Sequence, residues 1–274
     1  MIAGETSRFL LMEDGQARKA IHAKARMRKK ILGQVRRAVQ DYSMIREGDR
    51  IAVGVSGGKD SLTLLVALKY LRDFYPEEFE LEAITLTLGI GEADFSPIQD
   101  LCKSLRIAYT IEDTLIGKIV FEAKNEKNPC SLCANMKRGA LHNAAKRLGC
   151  NKVALGHNRD DVIETLMSLF YEGRIHTFSP VTYLDRKDIF VIRPLIYSEE
   201  KDIKGFIKSQ GIATIPSPCR ITGNTSRKLI ENYLSEIQAE IPMIKDNIFG
   251  AIRRSGIDGW DLRHKDKHRR HYEY

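Results

Sequence analysis

The period of apolar and polar positions changes repeatedly along this chain, and each change marks an element. Over residues 17–42 apolar residues recur at helical spacing, with Ile31, Val35, Val39 and Tyr42 on one face, which predicts an amphipathic helix. After the turn Arg46-Glu-Gly-Asp49, residues 51–55 form an apolar run of strand length, followed by a helical pattern over 61–74. The alternation continues with strands expected at 81–88, 108–112 and 152–155, and helices at 94–105, 136–148 and 161–170. Beyond Phe170 the regularity weakens: 190–192 reads as extended, 199–210 as helical, 215–225 as a loop, and 226–239 and 243–253 as two short helices.

Strands separated by helical stretches of this length require right-handed crossovers. The expected fold class is therefore α/β, a parallel sheet with helices on both faces, flanked by an N-terminal basic helix and a small α-helical C-terminal subdomain. Ligands of such sheets bind at the carboxyl ends of the strands. Two segments fall there: Ser56-Gly57-Gly58-Lys59-Asp60-Ser61 after strand 51–55, and Gly156-His157 with Asp161 after strand 152–155.

The first of these is an anion cradle. A glycine turn that opens a helix aims unpaired backbone N–H groups at one point, the helix dipole adds positive potential, and Lys59 adds a full charge. Only three residues separate Gly54 from Gly58, and Asp60 stands where a Walker A loop carries its metal-binding hydroxyl, so the loop is not of that type. It resembles the pyrophosphate-binding loop of the ATP-pyrophosphatase (PP-loop) superfamily, whose members form an adenylate and release pyrophosphate. On that basis the chain divides into a basic N-terminal helical segment (1–48), a PP-loop ATP-binding domain (49–197) and a C-terminal helical segment (198–274).

Charge narrows the partner. The 274 residues carry a formal net charge of +8, and nine Lys or Arg with no acid lie between Arg18 and Arg37. The tail Arg263-His-Lys-Asp-Lys-His-Arg-Arg-His271 is almost as basic. Both ends suit a polyanion, although a solvated charged helix face would look the same. No apolar run spans a bilayer and no signal-peptide core is visible, so a cytoplasmic protein with no membrane partner is expected; the acids Glu5, Glu13 and Asp14 argue against a transit peptide.

Five cysteines argue against a disulfide framework. Cys130-Ser-Leu-Cys133, expected just before a helix, and Cys219 in Pro216-Ser-Pro-Cys219 offer three soft ligands. Structural zinc would want a fourth, whereas a cubane iron–sulfur cluster can be held by three with one iron left open; two unligated thiols or a redox pair remain the alternatives at Cys130 and Cys133. Cys102 and Cys150 fall on segments that read as packed. His142, the tail histidines, Tyr42 and Trp260 are assigned to packing or solvent.

Taken together, Ile45-Arg-Glu-Gly-Asp-Arg50, SGGKDS, Pro129-Cys-Ser-Leu-Cys133 with Lys137-Arg-Gly139, Leu155-Gly-His-Asn-Arg-Asp-Asp161, Ile192-Arg-Pro-Leu195 and Glu200-Lys-Asp-Ile203 resemble the tRNA 2-thiocytidine synthetase family. The resemblance implies an enzyme that uses ATP and Mg2+ to adenylate C2 of an anticodon-loop cytidine and replaces the oxygen with sulfur through a four-iron, four-sulfur cluster. Carried over by position, Ser56 to Ser61 together with Gly156 and His157 bind the nucleotide, Asp60 and Asp161 are candidates for magnesium or nucleotide contact, Lys137 stabilises phosphate charge, and Cys130, Cys133 and Cys219 ligate the cluster. The implied partners are tRNA and a sulfur donor, free sulfide or a cysteine desulfurase, and a homodimer is compatible with it. Three departures stand out: no acid follows Thr85-Leu-Thr-Leu88, Cys219 lacks a second cysteine before Gly223, and Asn158 replaces a second histidine. The alternatives are a tRNA 2-thiouridine synthetase of the same superfamily, a PP-loop ligase of the lysidine-forming kind, and a non-catalytic RNA-binding protein with a structural metal.

Overall fold

The computed structural model describes residues 3–91, 93–123, 129–216 and 226–260, with side chains outside that description at 3–20, 122–123 and 226–227. Cys219 and the basic tail from 261 onward lie outside the described residues. The first helix, α1 (Ala3–Asp41), begins well before residue 17. Its expected apolar face is the one that packs: Ile31, Val35 and Val39 are fully buried.

Strand β1 (Asp49–Gly54) leads to α2 (Lys59–Arg72), β2 (Phe79–Leu86), α3 (Ser96–Leu105) and β3 (Ala108–Glu112). A short turn α4 (Ile116–Lys118) runs into a π-helical turn, Ile119–Ala123, and α5 (Pro129–Arg147) follows. Then come β4 (Lys152–Ala154), α6 (Arg159–Met167), α7 (Leu169–Glu172), β5 (Val181–Leu184), β6 (Ile189–Ile192), α8 (Glu200–Gln210), α9 (Ser226–Glu240) and α10 (Ile244–Ser255). The six strands lie in the order β3-β2-β1-β4-β6-β5. All pair in parallel except β5, which runs antiparallel to β6 with Val181 opposite Ile192, so the expected all-parallel sheet carries one antiparallel edge.

Both faces of the sheet are covered, and the side-chain period of two decides by what. Ile51 and Val53 of β1 enter a large cluster with Leu64, Leu68 and Leu71 of α2 and Ile203 and Phe206 of α8. Ala52 points the other way, toward Leu141, Ala144 and Ala145 of α5. The larger cluster also takes in Ile31 and Val35 of α1, Ile230 and Leu234 of α9, and Trp260, whose indole N–H donates to the Phe178 carbonyl at 2.7 Å. At the base of β4, Lys152 is 1% exposed and paired with Asp49 at 2.6 Å, and it also donates to the Met44 carbonyl at 2.9 Å. Among the described residues no helix is long and apolar enough to cross a membrane.

Candidate active site

The strand order reverses at β1 and β4: from β1 the chain winds outward through β2 and β3, and from β4 it continues toward β6. Loops leaving the carboxyl ends of these two strands diverge and open a crevice. There the structure forms a cavity of about 580 Å³, bordered by Ser56, Asp60, Ser61, Lys137, His157 and Arg193 among others. Gly156 also borders it; Gly57, Gly58, Lys59, Asp161, Cys130 and Cys133 do not.

The PP-loop is held open by its own side chains. Ser61 Oγ accepts from Ser56 N at 3.1 Å and donates to the Gly58 carbonyl at 3.0 Å, tying the turn across its mouth. Helix α2 starts at Lys59, two residues earlier than its apolar pattern suggested, and its N-cap Gly58 supplies no side-chain cap. The first-turn N–H groups have no partner within the helix and are left for an anion. Gly57 has φ +81°, and a Cβ there would stand 2.8 Å from Ile215 Cβ. That closeness follows from the hydrogen bond of Ile215 N to the Gly57 carbonyl at 2.9 Å, which fastens the segment leading to Cys219 onto the PP-loop. Gly156 is tight but less constrained: a Cβ would meet Asp60 C and Ser61 N at 3.1 Å, so a larger residue would push the loop after β4 a few tenths of an ångström away from the start of α2.

Asp60 is gripped from two sides. Lys59 Nζ lies 2.9 Å from its Oδ2, and Asn158 Nδ2 donates to its Oδ1 at 3.0 Å. Asn158 is also the N-cap of α6: its Oδ1 accepts from Asp161 N at 3.1 Å, and Asp161 Oδ2 accepts from Asn158 N at 2.7 Å, a reciprocal capping box. The residue that departs from the family pattern therefore couples the start of α6 to the acid of the PP-loop, and Asp161 spends its carboxylate on the cap. Lys59 reaches a second carboxylate, Glu200 Oε1, at 3.1 Å. Burial alone would lower the Lys59 ammonium, but Asp60 and Glu200 outweigh it and hold it above its ordinary value.

The opposite wall is cationic. Lys137 and Arg138 of α5 and Arg193, just past β6, line the cavity. Burial and the charge of Arg138 push the Arg193 guanidinium down to about 10, still charged at neutral pH. Its Nε lies 3.3 Å from His157 Nδ1 and its Nη1 donates to the Ser179 carbonyl at 2.6 Å. The His157 ring stacks on Phe178 with centroids 4.3 Å apart and planes 24° from parallel. A ring that accepts at Nδ1 from a guanidinium carries its proton on Nε2.

The CxxC pair lies inside α5 and not before it, because Pro129 occupies the first helical turn, where its missing N–H is no loss. Cys130 is exposed and Cys133 is buried, the latter packed with Ile116 and Val120. Cys130, Ala134, Lys137 and Leu141 recur at helical spacing on one face, and the last three line the cavity. Seven residues separate Cys130 from Lys137, about 10.5 Å along a helix axis, so the exposed thiol lies on the cavity-facing side of α5 but two turns beyond Lys137, outside the cavity lining. The third sulfur, Cys219, is four residues past Ile215, a reach of at most about 14 Å. Among the described residues no group of three or more His, Cys, Asp and Glu is close enough to hold a metal ion. The thiols assigned to packing behave as such: burial pushes both Cys102 and Cys150 up to about 11. His142 is buried, and its burial together with Lys187 and Arg138 lowers it.

Reading the sequence alone gave no role to Asn158, Arg193, Phe178 or Glu200 in this site. Asn158 carried a signal, Asn three residues before an acid at a helix start. Arg193 and Glu200 were visible only as motif members, and Phe178 had no local signal at all.

Residues 27–236 match the PP-loop domain family (ATP_bind_3). The chain is 40% identical over 222 residues to the tRNA-cytidine(32) 2-sulfurtransferase of Pelobacter propionicus, covering 80% of this chain and 82% of that relative. It is 38% identical over 228 residues to the protein of the same name from Geobacter sulfurreducens, covering 82% and 89%. The solved structure of the U34-tRNA thiolase NcsA from Methanococcus maripaludis with its 4Fe-4S cluster superposes with a TM-score of 0.69 over 88% of this chain and 80% of that one, at 22% identity, which speaks to the fold.

Proposed function

We propose, since the chain belongs to the PP-loop family and within it to the tRNA-cytidine 2-sulfurtransferases, that it adenylates C2 of a cytidine in the tRNA anticodon loop with ATP and exchanges the oxygen for sulfur. The observation that carries the reading is the cavity that joins an uncapped helix start to three cationic side chains, with the exposed thiol of Cys130 on the same α5 face as Lys137 but outside the cavity lining.

The chemistry follows from what each wall can do. A base carbonyl oxygen is a poor leaving group, so it first attacks the α-phosphorus of ATP, breaking the bond to pyrophosphate; sulfur at the hydrosulfide level then adds to C2 and AMP departs with the oxygen. The N–H groups at the start of α2 cradle the departing pyrophosphate, and Lys137, Arg138 and Arg193 hold the charge that builds on the α-phosphate. His157 lines the same wall, its ring plane fixed by the stack on Phe178 and by Arg193 at Nδ1. Magnesium arriving with the nucleotide would meet Asp60, the only acid among the described residues lining the cavity. The donor set suits a three-thiolate iron–sulfur cluster: Cys130 and Cys133 are one helical turn apart in the first turns of α5, and the chain toward Cys219 is pinned to the PP-loop through Ile215. When bound, the cluster would supply the sulfur-holding site beside the activated base.

The test uses anaerobically purified full-length protein and tRNA. Lys137→Met should lower tRNA-dependent AMP formation at least a hundredfold, about 3 kcal/mol of transition-state stabilisation, with the fold unchanged. Cys130→Ser, Cys133→Ser and Cys219→Ser should each lose iron and 2-thiocytidine, whereas Cys102→Ser and Cys150→Ser keep both. A fully active Cys219→Ser protein, or AMP formation unchanged in Lys137→Met, overturns the proposal.

A further inference from the structure

A second cavity, about 320 Å³, lies where α1, α6 and α10 meet. Arg37, Arg159 and Arg253 reach it from three different helices, with Tyr197, Phe249 and Asp246 completing much of its wall. Aromatic rings set the guanidinium planes: Arg37 and Arg253 sit 5.6 and 5.0 Å from the Tyr197 centroid, and Arg159 sits 4.9 Å from that of Phe249. Pre-positioned guanidinium forks match phosphate oxygens.

The acids nearby do not use up these donors. Arg159 is well paired, with Glu199 at 3.3 Å and with Asp246. Arg37 and Arg253 share one oxygen, Asp41 Oδ2, at 3.7 and 3.9 Å, both longer than a hydrogen bond, and that oxygen already accepts from the Tyr197 hydroxyl at 2.8 Å. Arg253 also meets the Tyr42 hydroxyl; among the described residues, neither Arg37 nor Arg253 is within hydrogen-bond length of a carboxylate, so both keep charge and donors for an incoming oxyanion. Further cations share the elements that wall the cavity: α1 also carries Arg26, Arg28 and Lys29, and the last turn of α10 adds Arg254. Arg159 is two residues from His157, which lines the nucleotide cavity. At the small end of ligand pockets, about 300–1,000 Å³, it has room for a backbone phosphate and its sugar.

We propose that this three-arginine cavity is a socket for one backbone phosphate of the tRNA, locking the RNA in register so that the target base reaches the nucleotide cavity. The proposal rests on the tRNA reading above and adds the point at which the RNA is anchored. It separates two groups of basic residues: Arg26, Arg28 and Lys29 of α1 attract the polyanion, and the socket, with Arg37 from the same helix, fixes its position.

The experiment measures tRNA affinity of the full-length protein from about 50 to about 200 mM salt, with ATP affinity and thermal midpoint recorded in parallel. Arg37→Gln/Arg253→Gln should weaken tRNA binding about tenfold or more and flatten the log–log salt slope by about 0.7–0.9 for the lost phosphate, with ATP affinity unchanged. Arg37→Lys/Arg253→Lys, which keeps the charge, should recover most of the slope. A double Gln variant that is merely less heat-stable, with wild-type tRNA affinity and slope, makes the arginines a structural clamp and refutes the socket. Inorganic phosphate is the second probe: if it stabilises the wild type through these arginines while the tRNA slope stays unchanged in the Gln variant, the cavity serves a free anion and the RNA assignment falls. Wild-type protein that binds no tRNA would instead remove the functional reading beneath it.

Discussion

Asn158 offers the most discriminating perturbation, because one side chain does two separable jobs. It caps α6 through Oδ1 and holds Asp60 through Nδ2 at 3.0 Å. Asn158→Asp keeps the cap, since Asp caps a helix as well as Asn does, but sets a carboxylate against Asp60. At 3.0 Å two unit charges repel by about 5 kcal/mol at an effective dielectric of about 20. Asp60 is 28% exposed and Lys59 touches it, so rotation and screening reduce the net loss to about 2–3 kcal/mol. Asn158→Ala loses the cap, about 1 kcal/mol, and one hydrogen bond, about 1 kcal/mol, with no added charge. Denaturant unfolding at pH 8 and near pH 4 separates the two variants. The Asp variant should recover most of its stability near pH 4, where protonation removes the repulsion, and the Ala variant should show the same deficit at both. AMP formation should fall further in Asn158→Asp than in Asn158→Ala, because the repulsion displaces Asp60 from the cavity wall. If Asn158→Asp is as stable as wild type at pH 8, or if both variants lose equally at every pH, the coupling between the α6 cap and the PP-loop acid is wrong.

Two further outcomes follow from buried charge. Burial, Asp160 and Glu231 raise the Glu164 carboxyl from 4.5 to about 7, so its contribution is complete below about pH 4.5 and is lost as the pH rises through 7. That gap would correspond to about 3 kcal/mol in a fully enclosed site and to about 1–2 after solvent screening; Glu164→Gln should therefore unfold at higher temperature than wild type at pH 8 and together with it near pH 4, as calorimetry would read. In the Lys152–Asp49 pair, Asp49→Ala removes the counter-charge of a buried ammonium, which keeps its hydrogen bond to the Met44 carbonyl, and should cost about 3–5 kcal/mol. Lys152→Met leaves Asp49 with its donors Arg46 N and Asn151 Nδ2 and should cost clearly less in the same denaturant titration; equal losses would show that the pair does not act as described.

The alternating elements, the two loops at one sheet edge and the cationic first helix were legible in the chain because each rests on local physics. Continuous apolar runs such as 51–55 mark strands covered on both faces, and Gly57-Gly58-Lys59 marks an anion cradle wherever a strand precedes it and a helix follows. The antiparallel edge escaped, although Val181-Thr-Tyr-Leu184 and Ile189-Phe-Val-Ile192 flank an Asp-Arg-Lys-Asp turn. One of its strands is expected, since 190–192 reads as extended, but Val181–Leu184 is only four residues of intermediate burial, too short for periodicity to declare it. The start of α5 was placed too late because a CxxC reads as a loop, whereas Pro129 at the first helical position sets the boundary.

Local patterns in the chain set the class of fold and the chemistry available at the PP-loop. Which side chains meet there depends on how the strands are ordered. Asn158 and Asp60 are ninety-eight positions apart and become partners because β1 and β4 are adjacent strands. His157 and Arg193 meet because β4 pairs with β6, and Gly57 is locked to Ile215 by one backbone hydrogen bond. Each contact has a long sequence separation, so no local pattern encodes it; it exists because the strand order β3-β2-β1-β4-β6-β5 brings these loops to a single edge of the sheet.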